Sequence, residues 1–214
     1  MIISTIALSS TLHLKVHAQD YDSTAAGIAP SAEKWVSIKP PKKQYTQPLN
    51  EADIKDPKKL LEFLKSRPEA LDPTRMTPFI AVEVGQTLLY GGELRKAVDL
   101  LNLAYEKWPN NPQILQAWAR ALIKGGQPSY VRKGIESWRQ SNPQVQVESY
   151  TQYLYALSIY LEGPQEPQHL KESKDLIEKL LANDPNYVGP DGTTAARLSS
   201  FLSELNQRLS ASNR

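Results

Sequence analysis

Few side chains in this sequence have the types and spacing that a catalytic site needs. The chain has three histidines, His13, His17 and His169, and no cysteine. It contains no zinc-binding histidine pair, no phosphate-binding glycine loop and no serine-nucleophile motif. Glu172 and Asp175 lie three residues apart but have lysines on both sides, which is typical of a solvated helix face with ion pairs. We therefore predict a protein that is not an enzyme and that needs no metal or other cofactor.

Composition limits the remaining function classes. The chain has 214 residues, of which 40% are hydrophobic and 22% charged, as expected for one globular domain with an additional segment. The net charge of +2 is too small to predict binding to nucleic acid or to an anionic membrane. No stretch has the ~20 apolar residues of a membrane span, so we predict no direct membrane insertion.

Residues 1–18 have features of an export signal. An apolar or hydroxylated run from Ile2 to Leu14 precedes Val16-His17-Ala18, which matches a small-residue cleavage site. No basic residue precedes the run, which a signal peptide would normally have. Two interpretations stay open: a signal peptide that makes the protein periplasmic or secreted, or a disordered leader of a cytoplasmic protein.

Residues 19–55 are predicted to form a flexible segment. They contain several prolines and lysines, including the run from Lys39 to Lys43, and show no helical period of apolar residues. Trp35 is the exception, since it belongs to a small apolar cluster. Trp35 either rests on the folded body or forms a short docking motif.

Residues 56–77 are predicted to contain a leading helix. Asp56 and Pro57 supply an N-cap and a proline at the first helical position. Leucines at positions 60, 61 and 64 then follow helical spacing, and the Arg67-Pro68 step ends the helix.

The region that follows repeats itself at a fixed interval. The pair Gly91-Gly92 recurs as Gly125-Gly126, and Pro109 recurs as Pro143, in each case 34 residues later. This period of about 34 residues is typical of helix–turn–helix units that stack on copies of themselves. The glycine pairs mark the turns inside each unit, and the prolines end its second helix.

Residues 78–111 resemble a tetratricopeptide repeat. The resemblance lies in the order of large, small and helix-ending residues, with Gly85 and Ala97 small where two helices cross closely. The matching residues are Ala81-x-x-Val84-Gly85-x-x-Leu88, Gly91-Gly92, Ala97-x-x-x-Leu101, Ala104 and Trp108-Pro109-Asn110-Asn111. The first Trp of the family pattern is missing, and Leu88 replaces its Tyr.

Two further units follow with growing departures from the family pattern. In the second unit Val131 and Trp138 replace small residues, and we expect Pro128 to shorten the start of the second helix. The third unit ends near residue 187, so that the repeats span 78–187. Residues 188–214 are predicted to hold an amphipathic capping helix and a tail. Trp108, Trp118 and Trp138 are predicted to belong to the core.

The resemblance implies an all-α fold, a right-handed superhelical stack of about three tetratricopeptide-like units closed by a C-terminal capping helix. In this family the first helix of each unit lines a concave groove that holds a segment of another protein. The groove residues implied here are Phe79, Val82, Gln86, Tyr90, Gln116, Arg120, Lys124, Tyr150, Tyr153 and Tyr160. Aromatic side chains supply contact area, and Arg120 can bind a carboxylate through two hydrogen bonds. The resemblance thus predicts a scaffold or adaptor that docks a partner segment.

Alternatives from other classes stay open at this point. The chain could be a self-assembling structural subunit of a cell-envelope complex, in which one copy's groove takes another copy's tail. It could also be a carbohydrate-binding accessory protein that uses Tyr150 and Tyr153 as a platform, with Gln152 beside them. The groove itself is either free for a partner or filled by the chain's own side chains.

Overall fold

The computed structural model describes residues 49, 54–66 and 71–212. The predicted leader, Trp35 and most of the predicted flexible segment lie outside these residues. The described residues form eight α-helices and one 3-10 turn (Pro73–Arg75), so the predicted all-α class is confirmed. The helices are α1 (Pro57–Ser66), α2 (Pro78–Tyr90), α3 (Leu94–Lys107), α4 (Pro112–Lys124), α5 (Pro128–Ser141), α6 (Ser149–Glu162), α7 (Pro167–Asn183) and α8 (Ala195–Ser212).

The folded body begins before α1. Leu49 is buried and Ile54 packs against the core, although both belong to the segment that we expected to be flexible. These two side chains are apolar, and their burial provides free energy that offsets the entropy lost on ordering. Helix α1 then starts as predicted, since the Asp56 carboxylate accepts the Lys58 N–H at 3.1 Å.

The starts of α2 and α4 are equivalent and lie one repeat apart. The Thr77 hydroxyl accepts the N–H of Ile80 at 3.3 Å, and the Asn111 side chain accepts the N–H of Ile114 at 3.0 Å. A proline occupies the first turn of each helix, where no internal hydrogen bond is lost. A side-chain cap followed by a proline therefore sets the start of both α2 and α4.

The turns that end α2 and α4 are equivalent as well. Gly92 and Gly126 have φ values of +81° and +69°, which side-chain-bearing residues rarely adopt. The next N–H in each turn reaches back five residues to a carbonyl at 2.9 Å, from Glu93 to Leu88 and from Gln127 to Leu122. The prediction that the glycine pairs make tight turns is confirmed.

Each helix contacts its neighbours in a regular order. Helix α2 packs against α3 and α4, and α4 packs against α3, α5 and α6. Helix α6 then packs against α5 and α7, and α7 against α8. The first helices of successive pairs, α2, α4 and α6, are therefore neighbours and present a continuous surface.

Glycines allow two close helix crossings. A Cβ atom added to Gly85 would lie 2.8 Å from Cγ of Leu101, so the predicted close crossing of α2 and α3 is confirmed. In the second pair the close approach involves the second helix instead, since a Cβ added to Gly134 of α5 would lie 2.5 Å from Cζ3 of Trp118 on α4. The sequence analysis missed Gly134 because it sought small residues at Val131 and Trp138. Both of these are instead buried.

The expectation that Pro128 shortens α5 is wrong. Helices α3 and α5 both have 14 residues and begin one repeat apart, at Leu94 and Pro128. The proline occupies the first turn of α5. Backbone N–H groups in the first turn have no acceptor within the helix, so a residue without an N–H costs no helical hydrogen bond there. Among the tryptophans, Trp118 and Trp138 are buried as predicted, whereas Trp108 is half-buried at the end of α3.

The last helix covers the end of the third pair. Helix α8 packs against α7 and buries Leu198, Phe201 and Leu205. Its outward side carries serines at 199, 200 and 203, each of which donates its hydroxyl proton to the carbonyl four residues earlier. None of the described helices combines the length and the apolar content that a membrane crossing requires.

We predict that Gly134→Val lowers the free energy of unfolding by about 1–3 kcal/mol, because its side chain must displace the Trp118 ring. Gly125→Ala is the matched control, since its new Cβ would lie no closer than 3.4 Å to another atom and its φ of −81° suits alanine. Urea denaturation of both variants measures the difference. Equal stability of Gly134→Val and the unmodified chain would contradict the close packing of α4 on α5.

Candidate partner-binding groove

A groove of about 720 Å³ lies along α2 and α4. Six of the residues that the resemblance implied line it together: Phe79, Val82, Gln86, Gln116, Arg120 and Tyr150. The sequence analysis did not assign the other main contributors: Thr77, Pro78, Glu83, Asn111, Ala117 and Pro190. Most of these are neighbours of implied residues on α2 and α4. Pro190 comes instead from the loop between α7 and α8.

Apolar side chains form part of the groove lining. Phe79 is 55% exposed at the start of α2, and Val82 lies one turn further along the same helix. Tyr150 and Pro190 contribute to the same groove from α6 and from the loop before α8. An exposed phenylalanine beside other apolar groups gains free energy when a ligand covers it.

A buried amide fixes the floor of the groove. Gln116 is 8% exposed, and its Nε2 donates hydrogen bonds to Glu148 Oε2 at 2.7 Å and to Thr151 Oγ1 at 3.0 Å. These bonds join α4 to α6 and satisfy the amide protons in a buried setting. Gln116 therefore positions the two helices relative to each other.

Tyrosines build the wall on the α6 side. Tyr150 is 6% exposed and its ring lies 6.1 Å from that of Tyr153, which in turn lies 6.4 Å from the ring of Tyr187. Burial, and then the Asp191 carboxylate, raise the pKa of Tyr150 well above its ordinary value. Tyr150 thus lines the groove in its neutral form, whereas Tyr153 does not line it and instead contacts the rings of Tyr150 and Tyr187.

The loop 187–194 is folded against this wall. Gly189 donates its N–H to Thr193 O at 2.7 Å, and Ala195 donates to Tyr187 O at 2.8 Å. An added Cβ on Gly189 would lie 2.6 Å from the Tyr187 hydroxyl, so the loop approaches the tyrosines too closely for a larger residue. Nothing in the sequence of residues 189–192 indicated that this loop packs onto α6 and lines the groove.

Arg120 joins the groove to two implied residues that do not line it, Tyr90 and Lys124. The Arg120 guanidinium carbon lies 4.8 Å from the centroid of Tyr90 and the Lys124 ammonium lies 5.9 Å from it. Arg120 also donates a hydrogen bond to the Tyr90 hydroxyl, and this tyrosine is 60% exposed. Within the described part of the chain, neither cation lies within 4.0 Å of a carboxylate.

Tyr160 lies outside this arrangement. It is 9% exposed, its ring meets that of Phe201 edge-to-face at 5.0 Å, and its hydroxyl donates to Glu204 at 3.1 Å. The Arg208 guanidinium lies 5.3 Å from the same ring. Helix α8 therefore covers Tyr160. At this position the implied groove is filled by the chain's own side chains and is not free for a partner.

A second polar cluster joins α5, α6 and α7 away from the groove. Arg132 lies between 3.2 and 3.4 Å from the carboxylates of Glu136, Glu162 and Glu172, and 3.4 Å from His169 Nε2. Glu172 thus pairs with an arginine of α5 rather than with the lysines of its own helix. No group of acidic or histidine side chains in the described ranges is arranged to hold a metal ion.

Comparison with known proteins leaves the family open. No protein-family model matches the chain, and no curated protein matches it. The resemblance to the tetratricopeptide family therefore rests on the residues and spacings themselves.

We predict that stability falls as pH rises from about 10 towards 12. Burial, followed by the Glu204 carboxylate, raises the pKa of Tyr160 to about 12, whereas an unfolded tyrosine titrates near 10. The stabilisation from neutral Tyr160 is complete below pH 10 and disappears as the folded phenol ionises. Free energies of unfolding in urea at pH 8, 10 and 11 measure the decline. Tyr160→Phe should show a smaller decline, and an identical decline would contradict the assigned burial.

Proposed function

We propose that this chain is a tetratricopeptide-like scaffold whose helical pairs form a right-handed superhelical stack closed by α8. The strongest support is the equivalence of two helical pairs at an offset of one repeat. The helix caps at Thr77 and Asn111 are 34 residues apart, and the turns at Gly92 and Gly126 are separated by the same number of residues. Contacts between α2, α4 and α6 are those expected of neighbouring first helices.

The proposed activity is docking of a segment from another protein in the groove along α2 and α4, with no chemical step. The observation that carries this proposal is the combination of an exposed aromatic side chain in the groove with two nearby cations that have no carboxylate partner among the described residues. Phe79 supplies the apolar surface, and Arg120 and Lys124 supply the charge. Such a surface gains both contact area and electrostatic free energy when a complementary segment binds.

We place this activity in the periplasm or outside the cell if residues 1–18 act as a signal peptide, and otherwise in the cytoplasm. A self-assembling subunit of an envelope complex is the main alternative. A carbohydrate platform has less support, because Tyr150 is buried and Tyr153 packs between Tyr150 and Tyr187. The amide of Gln152 donates to the Val147 carbonyl at 2.8 Å rather than pointing to a ligand.

The proposal predicts that Arg120→Glu/Lys124→Glu loses a partner that the unmodified protein captures. Both proteins are crosslinked in native cells, purified, and compared by quantitative mass spectrometry. We expect at least a tenfold loss of the partner, since two favourable charge contacts become repulsive. The matched control is Arg197→Glu/Lys171→Glu, which reverses one arginine and one lysine on exposed faces of α8 and α7.

Three results distinguish the candidates. Loss in the groove variant but not in the control supports docking in the groove. Equal capture by all three proteins contradicts it, provided that thermal denaturation shows the same fold in each. Capture of a second copy of this chain as the main product would favour the self-assembling subunit.

A further inference from the structure

Two carboxylates at the groove have no cation partner among the described residues. Glu83 of α2 lies half-buried in the lining, and Asp191 follows Pro190, which also lines the groove. Within the described ranges no lysine, arginine or histidine nitrogen lies within 4.0 Å of either carboxylate. Partial burial weakens the solvation of a charge by water, so a cation that approaches these carboxylates gains electrostatic free energy.

An uncovered apolar side chain lies next to one of these carboxylates. Phe79 is 55% exposed and precedes Glu83 by four residues on α2, so the two side chains are neighbours on the helix surface. Pro78 and Pro190 add apolar area to the same lining. This surface therefore suits a ligand in which a large apolar side chain lies close to a cation.

The chain carries such a ligand in its own N-terminal segment. Residues 34–43 have the sequence Lys-Trp-Val-Ser-Ile-Lys-Pro-Pro-Lys-Lys, with four lysines and no acidic residue. Trp35 has one lysine directly before it and another four residues later, at position 39. The prolines at positions 40 and 41 favour an extended backbone, which lowers the entropy that is lost on binding. The segment thus matches the surface around Phe79 and Glu83 in both polarity and charge.

The covalent connection lets this segment reach the groove. Leu49 is buried in the core, and α1, which follows it, packs against α2. The 14 residue steps from Trp35 to Leu49 span up to about 46 Å of extended chain, at about 3.3 Å per step. The α2 lining from Thr77 to Gln86 is about 14 Å long, and a folded body of this size has a radius of gyration of roughly 15 Å. The segment is therefore long enough to cross the body and lie along α2.

We propose that residues 34–43 occupy the groove of the same molecule and compete with the partner segment for it. Trp35 covers Phe79, and a lysine of the segment approaches Glu83. This inference rests on the proposed docking function and adds its regulation, since the partner gains full access to the apolar lining only when the segment leaves.

The two cations near Tyr90 do not prevent this contact. Arg120 and Lys124 repel lysines, but they lie around Tyr90, which is seven residues and about 10 Å further along α2 than Glu83. They therefore stay available to a negative charge on the partner. Segment and partner compete for the apolar surface rather than for the cations.

Covalent attachment makes even a weak contact effective. A tethered segment has an effective concentration on the order of 1 mM at its own site. An intrinsic dissociation constant of about 0.1 mM then fills about 90% of the grooves and weakens the partner's apparent affinity about tenfold.

Carbodiimide crosslinking of the full-length protein tests the contact directly, since this reagent joins a lysine to a carboxylate where the two touch. We expect mass spectrometry to find amide bonds from the lysines of residues 34–43 to Glu83 or Asp191. Glu106 and Asp175 are the matched controls, because both are exposed, on α3 and α7, and neither lines the groove. A segment that samples the surface at random would join these controls at least as often, and that result would overturn the inference.

Isotope labelling identifies the molecule that supplies the segment. Unlabelled and nitrogen-15-labelled protein are mixed in equal amounts before crosslinking. A segment that occupies its own groove joins only peptides with the same label. Products that join a light and a heavy peptide would assign the segment to a second copy, which contradicts the inference and favours the self-assembling subunit.

The effect on the partner is measured by the same capture from native cells that tests docking. The variant Lys34→Gln/Trp35→Ala/Lys39→Gln should capture more partner than the unmodified protein, up to about tenfold, because the groove is no longer filled. The control Gln44→Ala/Gln47→Ala changes the same region outside residues 34–43 and should leave capture unchanged.

The outcomes separate the inference from the function on which it rests. Absence of crosslinks to Glu83 and Asp191, with a partner still captured through Arg120 and Lys124, would overturn the inference and leave docking intact. Crosslinks to Glu83 with equal capture by the segment variant would contradict the competition and overturn it as well. Crosslinks to Glu83 without capture of a partner by any of the proteins would support the contact but count against docking.

Discussion

The packing of one tryptophan determines where the groove can form. The Trp118 ring stacks on Tyr105 of α3 at 4.6 Å, and its Nε1 donates to Asn102 at 2.7 Å. On the other side Gly134 leaves room for the ring against α5. This contact fixes both the position and the rotation of α4 between the two helices. Since successive residues turn by about 100°, Gln116 and Arg120 then lie on the side of α4 opposite Trp118.

That rotation links the core to the proposed recognition surface. Gln116 bonds to α6 from the groove side of α4, and Arg120 meets Tyr90 of α2. Helix α4 thus holds its neighbours through polar contacts on one side and through Trp118 on the other. The cations are presented by a rigid helix rather than by a loop, so little ordering entropy opposes binding. The loop 187–194 completes the wall next to Tyr150.

Local rules explain what the sequence could predict. The caps at Thr77 and Asn111 and the turns at Gly92 and Gly126 depend on residues close in the chain, and their positions were evident from spacing. Contacts between distant residues were not evident. The role of Gly134 depends on a tryptophan of the preceding helix, and Pro190 lines the groove only because Gly189 approaches the tyrosines. Tyr160 shared a helix face with Tyr153, yet α8 covers it.

The central claim is that a partner binds along α2 and α4. Hydrogen–deuterium exchange of the full-length protein, alone and with its captured partner, tests this claim most directly. The account predicts slower exchange in residues 77–90 and 111–124 on binding, with little change in α7. Unchanged exchange in both helices, together with protection confined to residues 1–48, would contradict it and assign recognition to the N-terminal segment.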